Sequence, residues 1–210
     1  MTERGKFITV EGIEGVGKST NLEPIRSYLL SRGKDVVMTR EPGGTPLGEE
    51  IRALLLDRQQ TGMHPDTETL LMFAARAQHL AEVIIPALEQ GQWVVCDRFT
   101  DATYAYQGGG RGIDTTRIGA LEQWVQGDLR PDLTLLLDAP TEVGMARASQ
   151  RSHGADRFER EHADFFLRVR ECYRRLAGEG GSRYRIIDAS QPLAQVKTAI
   201  EQVLDDFLNT

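Results

Sequence analysis

Gly12-Ile13-Glu14-Gly15-Val16-Gly17-Lys18-Ser19 decides the fold of this chain, because it reads G-x-x-x-x-G-K-[ST] in the setting that pattern requires. Phe7-Ile8-Thr9-Val10 precedes it, short, β-branched and apolar, and reads as a buried strand. From Thr20 to Ser31 follow Leu22, Ile25, Leu29 and Leu30 at helical spacing. Strand, glycine loop and helix in that order form a phosphate cradle. Glycines let backbone N–H groups turn inward, and the helix N-terminus adds its positive end. The loop through Thr20 is therefore the expected nucleoside triphosphate site. Lys18 is expected to reach the β- and γ-phosphates, and the Ser19 hydroxyl to ligate Mg²⁺. A chance Gly-Lys-Ser turn would carry neither flank.

Four more apolar runs follow: Val36-Val37-Met38, Trp93-Val94-Val95-Cys96, Leu133 to Leu137 and Tyr184 to Ile187. They are continuous rather than alternating, as strands buried on both faces of a parallel sheet should be. Helical patterns separate them at Ile51 to Leu56, Asp66 to Gln90, Thr115 to Gln126, Thr141 to Arg151, Ala163 to Ala177 and Leu193 to Leu208. The fold class is α/β: a P-loop NTPase with a five-stranded parallel sheet flanked by helices on both faces. One domain is expected over residues 1–210, with a short lid at about 147–159 around Ser152-His153-Gly154-Ala155. Gly108-Gly109-Gly110 reads as a single mobile loop.

Ligands in such sheets sit beyond the carboxyl ends of the strands. Asp97, closing the third strand, is the expected second Mg²⁺ ligand. Asp138, closing the fourth, reads either as a further acid or as the cap of the next helix. The 66–90 helix carries apolar side chains nearly all round, so it reads as a central core helix or as part of a subunit interface.

With 210 residues and a net charge of −6, the chain lacks the basic balance expected of a protein whose main partner is extended nucleic acid. No apolar run of membrane-spanning length stands out. The start, Met1 to Lys6, shows no export signal, and only two cysteines occur, so a reducing cytoplasm is expected. The four histidines show no metal-ligand spacing and read as structural or surface residues.

A P-loop does not name a reaction. No Asn-Lys-x-Asp stretch, the guanine-reading signature of a GTPase, occurs. Arginines instead fall where a second anion could be held: Arg40 after the second strand, Arg76 on the apolar helix, Arg98 after Asp97, and Arg147, Arg151 and Arg157 around the lid. Arg76 shares a helix face with Phe73, three positions before it. A buried guanidinium needs a partner such as a planar base edge, and Phe73 reads either as a base-stacking ring or as plain core.

Glu11 through Thr20, Thr39-Arg40-Glu41-Pro42-Gly43-Gly44-Thr45, Phe73-Ala74-Ala75-Arg76, Asp97-Arg98-Phe99 through Tyr106-Gln107-Gly108, Asp156-Arg157-Phe158-Glu159 and Ile187-Asp188-Ala189 together resemble the bacterial thymidylate kinases nearly end to end. The resemblance implies transfer of phosphate from Mg·ATP to dTMP, in dTTP biosynthesis, by a cytoplasmic homodimer. It implies that Phe73 stacks on thymine, Arg76 binds a base carbonyl and Thr103 bonds the ring N3. Arg98 would hold the acceptor monophosphate and Glu14 the sugar 3′-hydroxyl. Tyr104 or Tyr106 would crowd the 2′ position, with Gln107 in the same pocket, Arg40 in the acceptor site and the Asp188 loop beside adenine. Eukaryotic members carry an arginine within the P-loop, where this chain has Gly15 and Val16. The catalytic charge must then come from the lid, with Arg151 the first candidate and Arg147 the second. Many members have Asp-Arg-Tyr where this chain has Asp-Arg-Phe, which puts in doubt only a role for that phenol. The rival readings are a nucleoside or nucleotide kinase with another acceptor, and a P-loop ATPase acting as a regulatory switch.

Overall fold

Five strands account for the five apolar runs. The computed structural model describes residues 4–60, 62–149, 157–159 and 161–209. In it β1 (Phe7–Glu11), β2 (Val36–Arg40), β3 (Trp93–Asp97), β4 (Leu133–Asp138) and β5 (Tyr184–Asp188) pair in parallel, in the order β2-β3-β1-β4-β5. The three central strands are almost wholly buried, whereas β2 and β5 form the edges and show partly exposed positions such as Ile186. That is why the central runs are unbroken by polar residues, Thr9 and Thr134 excepted, and these two share a hydrogen bond across β1 and β4 at 3.0 Å. Val10 lies level with Asp97, and Glu11 with Leu136, so the carboxyl ends of β1 and β3 open at one height.

Right-handed crossovers in this strand order put α1 (Lys18–Ser31) on one face, where it meets α9 (Leu193–Leu208). The opposite face takes α2 (Pro46–Leu56), α3 (Pro65–His79), α4 (Ile85–Glu89), α5 (Thr100–Thr103), α6 (Thr115–Gln126), α7 (Thr141–Ser149) and α8 (Ala163–Glu179). Helix α2 begins five residues before the expected Ile51. Thr45 accepts the Gly48 N–H at 3.0 Å as its N-cap, and Pro46 fills the first turn, where its missing N–H is harmless.

The stretch expected as one helix over 66–90 is interrupted by a π-helical turn at Leu80–Ile84. Pro86 follows in α4, and the wider turn ahead of it relieves the clash a proline makes with the preceding turn. Nor is this stretch buried all round, since Leu70 is 56% and Ile85 40% exposed. Pro65–Glu89 has the length of a membrane span, and its most apolar 18 residues average a hydropathy of 1.2. Here it lies against α2, α6 and β3 and carries Glu68, Arg76 and His79 buried along its length.

Gly108 to Gly110 form no mobile loop. They close a π-helical segment, Tyr104–Gly110, that packs along α8. The glycines allow that approach: a Cβ on Gly109 would lie 2.8 Å from the Cys172 Cβ, and one on Gly110 would strike the Phe165 ring. Gly110→Ala should therefore destabilise the protein by about 1–3 kcal/mol through overpacking, read as a lower urea midpoint with an unchanged slope. An unshifted midpoint would mean the segment yields at no cost.

Candidate active site

Beyond the ends of β1 and β3 lies a cavity of about 330 Å³, with the P-loop at one end and Arg76 and Thr103 at the other. Arg98 stands between them, on backbone of φ 70°, a left-handed value unusual for a residue with a side chain. Both terminal nitrogens of its guanidinium are engaged. Nη1 donates to the Gly12 carbonyl at 2.8 Å and to the Tyr173 hydroxyl at 3.1 Å, while Nη2 donates to Glu14 Oε1 at 2.8 Å and to the Tyr106 hydroxyl at 2.9 Å. Tyr106 in turn donates to Glu14 Oε2 at 2.6 Å. Burial pushes the Tyr106 phenol well above its ordinary value, so it stays a donor.

At the far end Arg76 is 2% exposed. Its Nε donates to Glu41 Oε2 at 2.7 Å and its Nη2 to Thr103 Oγ1 at 3.0 Å, and Nη1 is buried with no partner among the described residues. Glu41 is itself held by His79, at 3.0 Å, and the other His79 nitrogen pairs with Thr39 at 2.6 Å. His79 is thus no surface histidine; it fixes the carboxylate that fixes Arg76. Phe73 lies with its ring 4.7 Å from the Arg76 guanidinium and is absent from the cavity wall, where Met72 takes the place expected of it. Tyr104 also turns away, donating to Glu122 on α6 at 2.5 Å, while Tyr106 and Gln107 line the cavity.

At the P-loop end, Lys18 Nζ donates to the carbonyls of Gly12 and Ile13 at 2.8 and 2.9 Å. Burial, with Arg98 next, lowers its pKa to about 8. Gly15 has φ 73°, and a Cβ there would collide with the Gly144 carbonyl of α7, so this loop position admits no arginine. Gly12 and Val16 are buried beneath the loop, and Thr20 is exposed at the start of α1. Asp97 Oδ1 is buried without a partner among the described residues, and Ser19 lies on the same cavity wall with an exposed side chain. One orphaned carboxylate oxygen and one hydroxyl suit Mg²⁺, which keeps several waters and takes the rest of its shell from substrate phosphates.

Other expected residues are held elsewhere. Arg40 lines the cavity but pairs with Glu49 at 2.7 Å. Arg147 donates to the Ala189 carbonyl at 2.7 Å, beside the loop after Asp188. Arg151 and His153 lie outside the described residues. Arg157 is anchored to the body through the Leu55 carbonyl at 2.8 Å and Glu68 at 2.5 Å, and Phe158 behind it packs edge-on to Tyr106. Asp138 neither lines the cavity nor caps the following helix with its side chain among the bonds seen; it forms a two-point ion pair with Arg170 of α8 at 2.6 and 2.9 Å. Both cysteines are free and buried.

Several residues escaped the sequence reading, Tyr173 on Arg98 among them. Arg52 and Met72 line the cavity, and only a face-resolved α2 and α3 could have revealed them. Glu68 gathers Gln107, Arg111 and Arg157. Glu11, fully buried at the end of β1, accepts the Phe99 N–H and the Tyr173 hydroxyl, each at 2.7 Å. An acidic residue closing a buried strand was the available signal.

A parallel sheet with the loop after its central strand, opening on a cation-lined cavity, defines a P-loop nucleoside triphosphate-binding protein. The family model described as thymidylate kinase matches residues 10–200. Thymidylate kinase of Alkalilimnicola ehrlichii is 62% identical over 96% of this chain and 93% of its own length. That of Pseudomonas entomophila is 60% identical over 97% of each chain. The crystal structure of thymidylate kinase from Ehrlichia chaffeensis superposes with a TM-score of 0.78 at 34% identity, covering 96% of this chain and 99% of that one. The chain belongs to the thymidylate kinase family.

Burial, with the Asp101 charge next, pushes the Glu11 carboxyl from 4.5 to about 8. The unfolded chain ionises this group near its ordinary value while the folded one holds its proton to higher pH, so rising pH costs the fold stability across that window. Glu11→Gln removes the penalty. The difference in unfolding free energy, variant minus wild type, should climb from pH 5 to pH 8 in urea titrations; a flat difference would show that Glu11 ionises normally in place.

Proposed function

We propose that the chain transfers the γ-phosphoryl group of Mg·ATP to dTMP, yielding dTDP and ADP, with the residues of the 330 Å³ cavity dividing the work. The observation that carries this reading is the pairing of the P-loop at one end with a buried, partnerless Arg76 Nη1 beside Thr103 at the other. A donor triphosphate and an acceptor base then meet across Arg98.

The acceptor is a phosphate monoester, largely dianionic at neutral pH since its second pKa is about 6, and needs no general base. The difficulty is repulsion between two polyanions, and positioning with charge neutralisation answers it. Lys18 exchanges its loop carbonyls for phosphate oxygens. Arg98 takes the acceptor monophosphate, and Glu14 and Tyr106 meet the sugar, its 3′ hydroxyl and 2′ position respectively. Arg76 and Thr103 hold the base edge, and Gln107 closes the pocket. Met72 with Leu56 supplies the apolar wall against the ring, while Phe73 supports Arg76 from behind. Arg40 and Arg52 add positive potential at the acceptor end. Ser19 and Asp97 would hold Mg²⁺, which would neutralise charge on the donor phosphates. The transition-state charge comes from the lid, from Arg151 first and Arg147 second.

The protein works in the cytoplasm as a homodimer, without extended nucleic acid or a membrane. The uncovered side of α3 supports self-association, with Leu70 56% exposed and Trp124 of the adjoining α6 82% exposed. Light scattering after gel filtration should give twice the chain mass, falling toward the single mass in Leu70→Lys; a monomeric wild type would remove the dimer.

An ADP-release assay with Mg·ATP and a panel of monophosphates should show dTMP preferred over dUMP, dCMP, GMP and free thymidine. Lys18→Met or Arg98→Ala should cut turnover by roughly 100- to 1000-fold or more with the fold intact. Arg76→Ala should weaken dTMP more than ATP. ADP release indifferent to acceptor would make the chain a switch ATPase, and equal loss for both ligands would take Arg76 out of the base site.

A further inference from the structure

We infer that Glu11 and Tyr173 form a brace, outside the cavity, that positions the Arg98 guanidinium; the inference rests on the reading of Arg98 as the acceptor-phosphate ligand. Three side chains bond this guanidinium. Glu14 and Tyr106 lie on the cavity wall, where an incoming nucleotide competes for them. Tyr173 does not. It is 1% exposed on α8, and its hydroxyl donates its single hydrogen bond to Glu11 Oε2 at 2.7 Å while accepting from Arg98 Nη1 at 3.1 Å.

The other oxygen of Glu11 holds the main chain. Oε1 accepts the N–H of Phe99, the residue directly after Arg98, at 2.7 Å. Arg98 sits at φ 70°, a conformation that persists only where its surroundings over-determine it. One carboxyl group thus grips Arg98 at both ends, backbone through Phe99 and guanidinium through Tyr173. Donor direction explains why the residue is acidic. Phe99 N–H and Tyr173 O–H both donate toward it, and a carboxyl group accepts from both, through two bare oxygens when ionised and through the lone pairs left on its hydroxyl oxygen when protonated. A glutamine would point its NH₂ at one of these donors. If Tyr173 then accepted from that amide, its oxygen would be shared with Arg98 and its proton stranded.

Initial rates with Mg·ATP and dTMP test this in Tyr173→Phe, Glu11→Gln, the double variant and Arg98→Ala. Tyr173→Phe keeps the buried ring and removes one oxygen, so it carries the test even if Glu11→Gln folds poorly. We expect the acceptor kcat/KM to fall on the order of tenfold in either single variant, as for loss of a hydrogen bond to a charged group. The ATP KM should be unchanged, and the double variant no worse than the weaker single, because both residues act along one chain. If Arg98→Ala leaves dTMP kinetics untouched, the reading of the site fails and this inference with it. If Arg98→Ala is costly while Tyr173→Phe matches wild type, the brace alone is overturned. Equal losses for dTMP and ATP, or additive losses in the double variant, would assign the pair to general packing and overturn it as well.

Discussion

Lys18, Arg40, Arg52, Arg76 and Arg98 share the wall of one cavity, and their mutual repulsion is the constraint on which the rest of the site depends. Two such charges 4 Å apart repel by about 4 kcal/mol at the dielectric of a protein surface. The structure offsets this by matching cations to carboxylates across the fold: Arg98 with Glu14, Arg76 with Glu41, Arg40 with Glu49. Lys18 has no such carboxylate partner among the described residues; it bonds loop carbonyls and has its pKa lowered toward neutrality. The same pairs set the geometry, since each holds a guanidinium in a fixed orientation.

Three of the acidic side chains around the site lie unusually deep. Glu11, Glu41 and Glu68 are each at most 5% exposed. Burying an ion pair seldom adds net stability, because desolvation consumes most of the attraction. Their value is positional. Glu41 passes the rigidity of β2 and α3, through His79 and Thr39, into the direction of Arg76. Glu68 ties Gln107 on the π-helical segment and Arg157 at the lid's edge to α3. Each spans parts of the chain that only the sheet topology brings together.

That distance in sequence separates what could be read from the chain beforehand from what could not. The five strands, the P-loop and the cations of the cavity wall other than Arg52 follow from local pattern: buried runs, glycine spacing, and an acid or arginine where a strand ends; Thr103, Tyr106 and Gln107 follow only from the resemblance to thymidylate kinases. The π-helical turns do not, because they answer to Pro86 and to the ring of Phe165 rather than to periodicity. Neither does the ladder of partners. Tyr173 meets Glu11 across 162 positions and Arg157 meets Glu68 across 89, and no local spacing marks either pair.

Met72 and Phe73 show the same limit at the scale of one helix turn. They stand four and three positions before Arg76, and both separations put a side chain on the same face. Spacing therefore favours neither, and chemistry favours the aromatic. The rotation of α3 decides it. Glu68, Thr69, Phe73, Arg76 and His79 form its buried side, which is turned inward by the ion pairs of Glu68 and Arg76. Phe73 follows them into the interior and stacks under the guanidinium, which leaves Met72 at the edge of that side, facing the cavity. A flexible thioether on that wall adapts to a ring more readily than a fixed aromatic plane would. On the proposed reading of the site, discrimination at the base end falls to the groups that cannot adapt, the Arg76 guanidinium, oriented by Glu41, and the Thr103 hydroxyl.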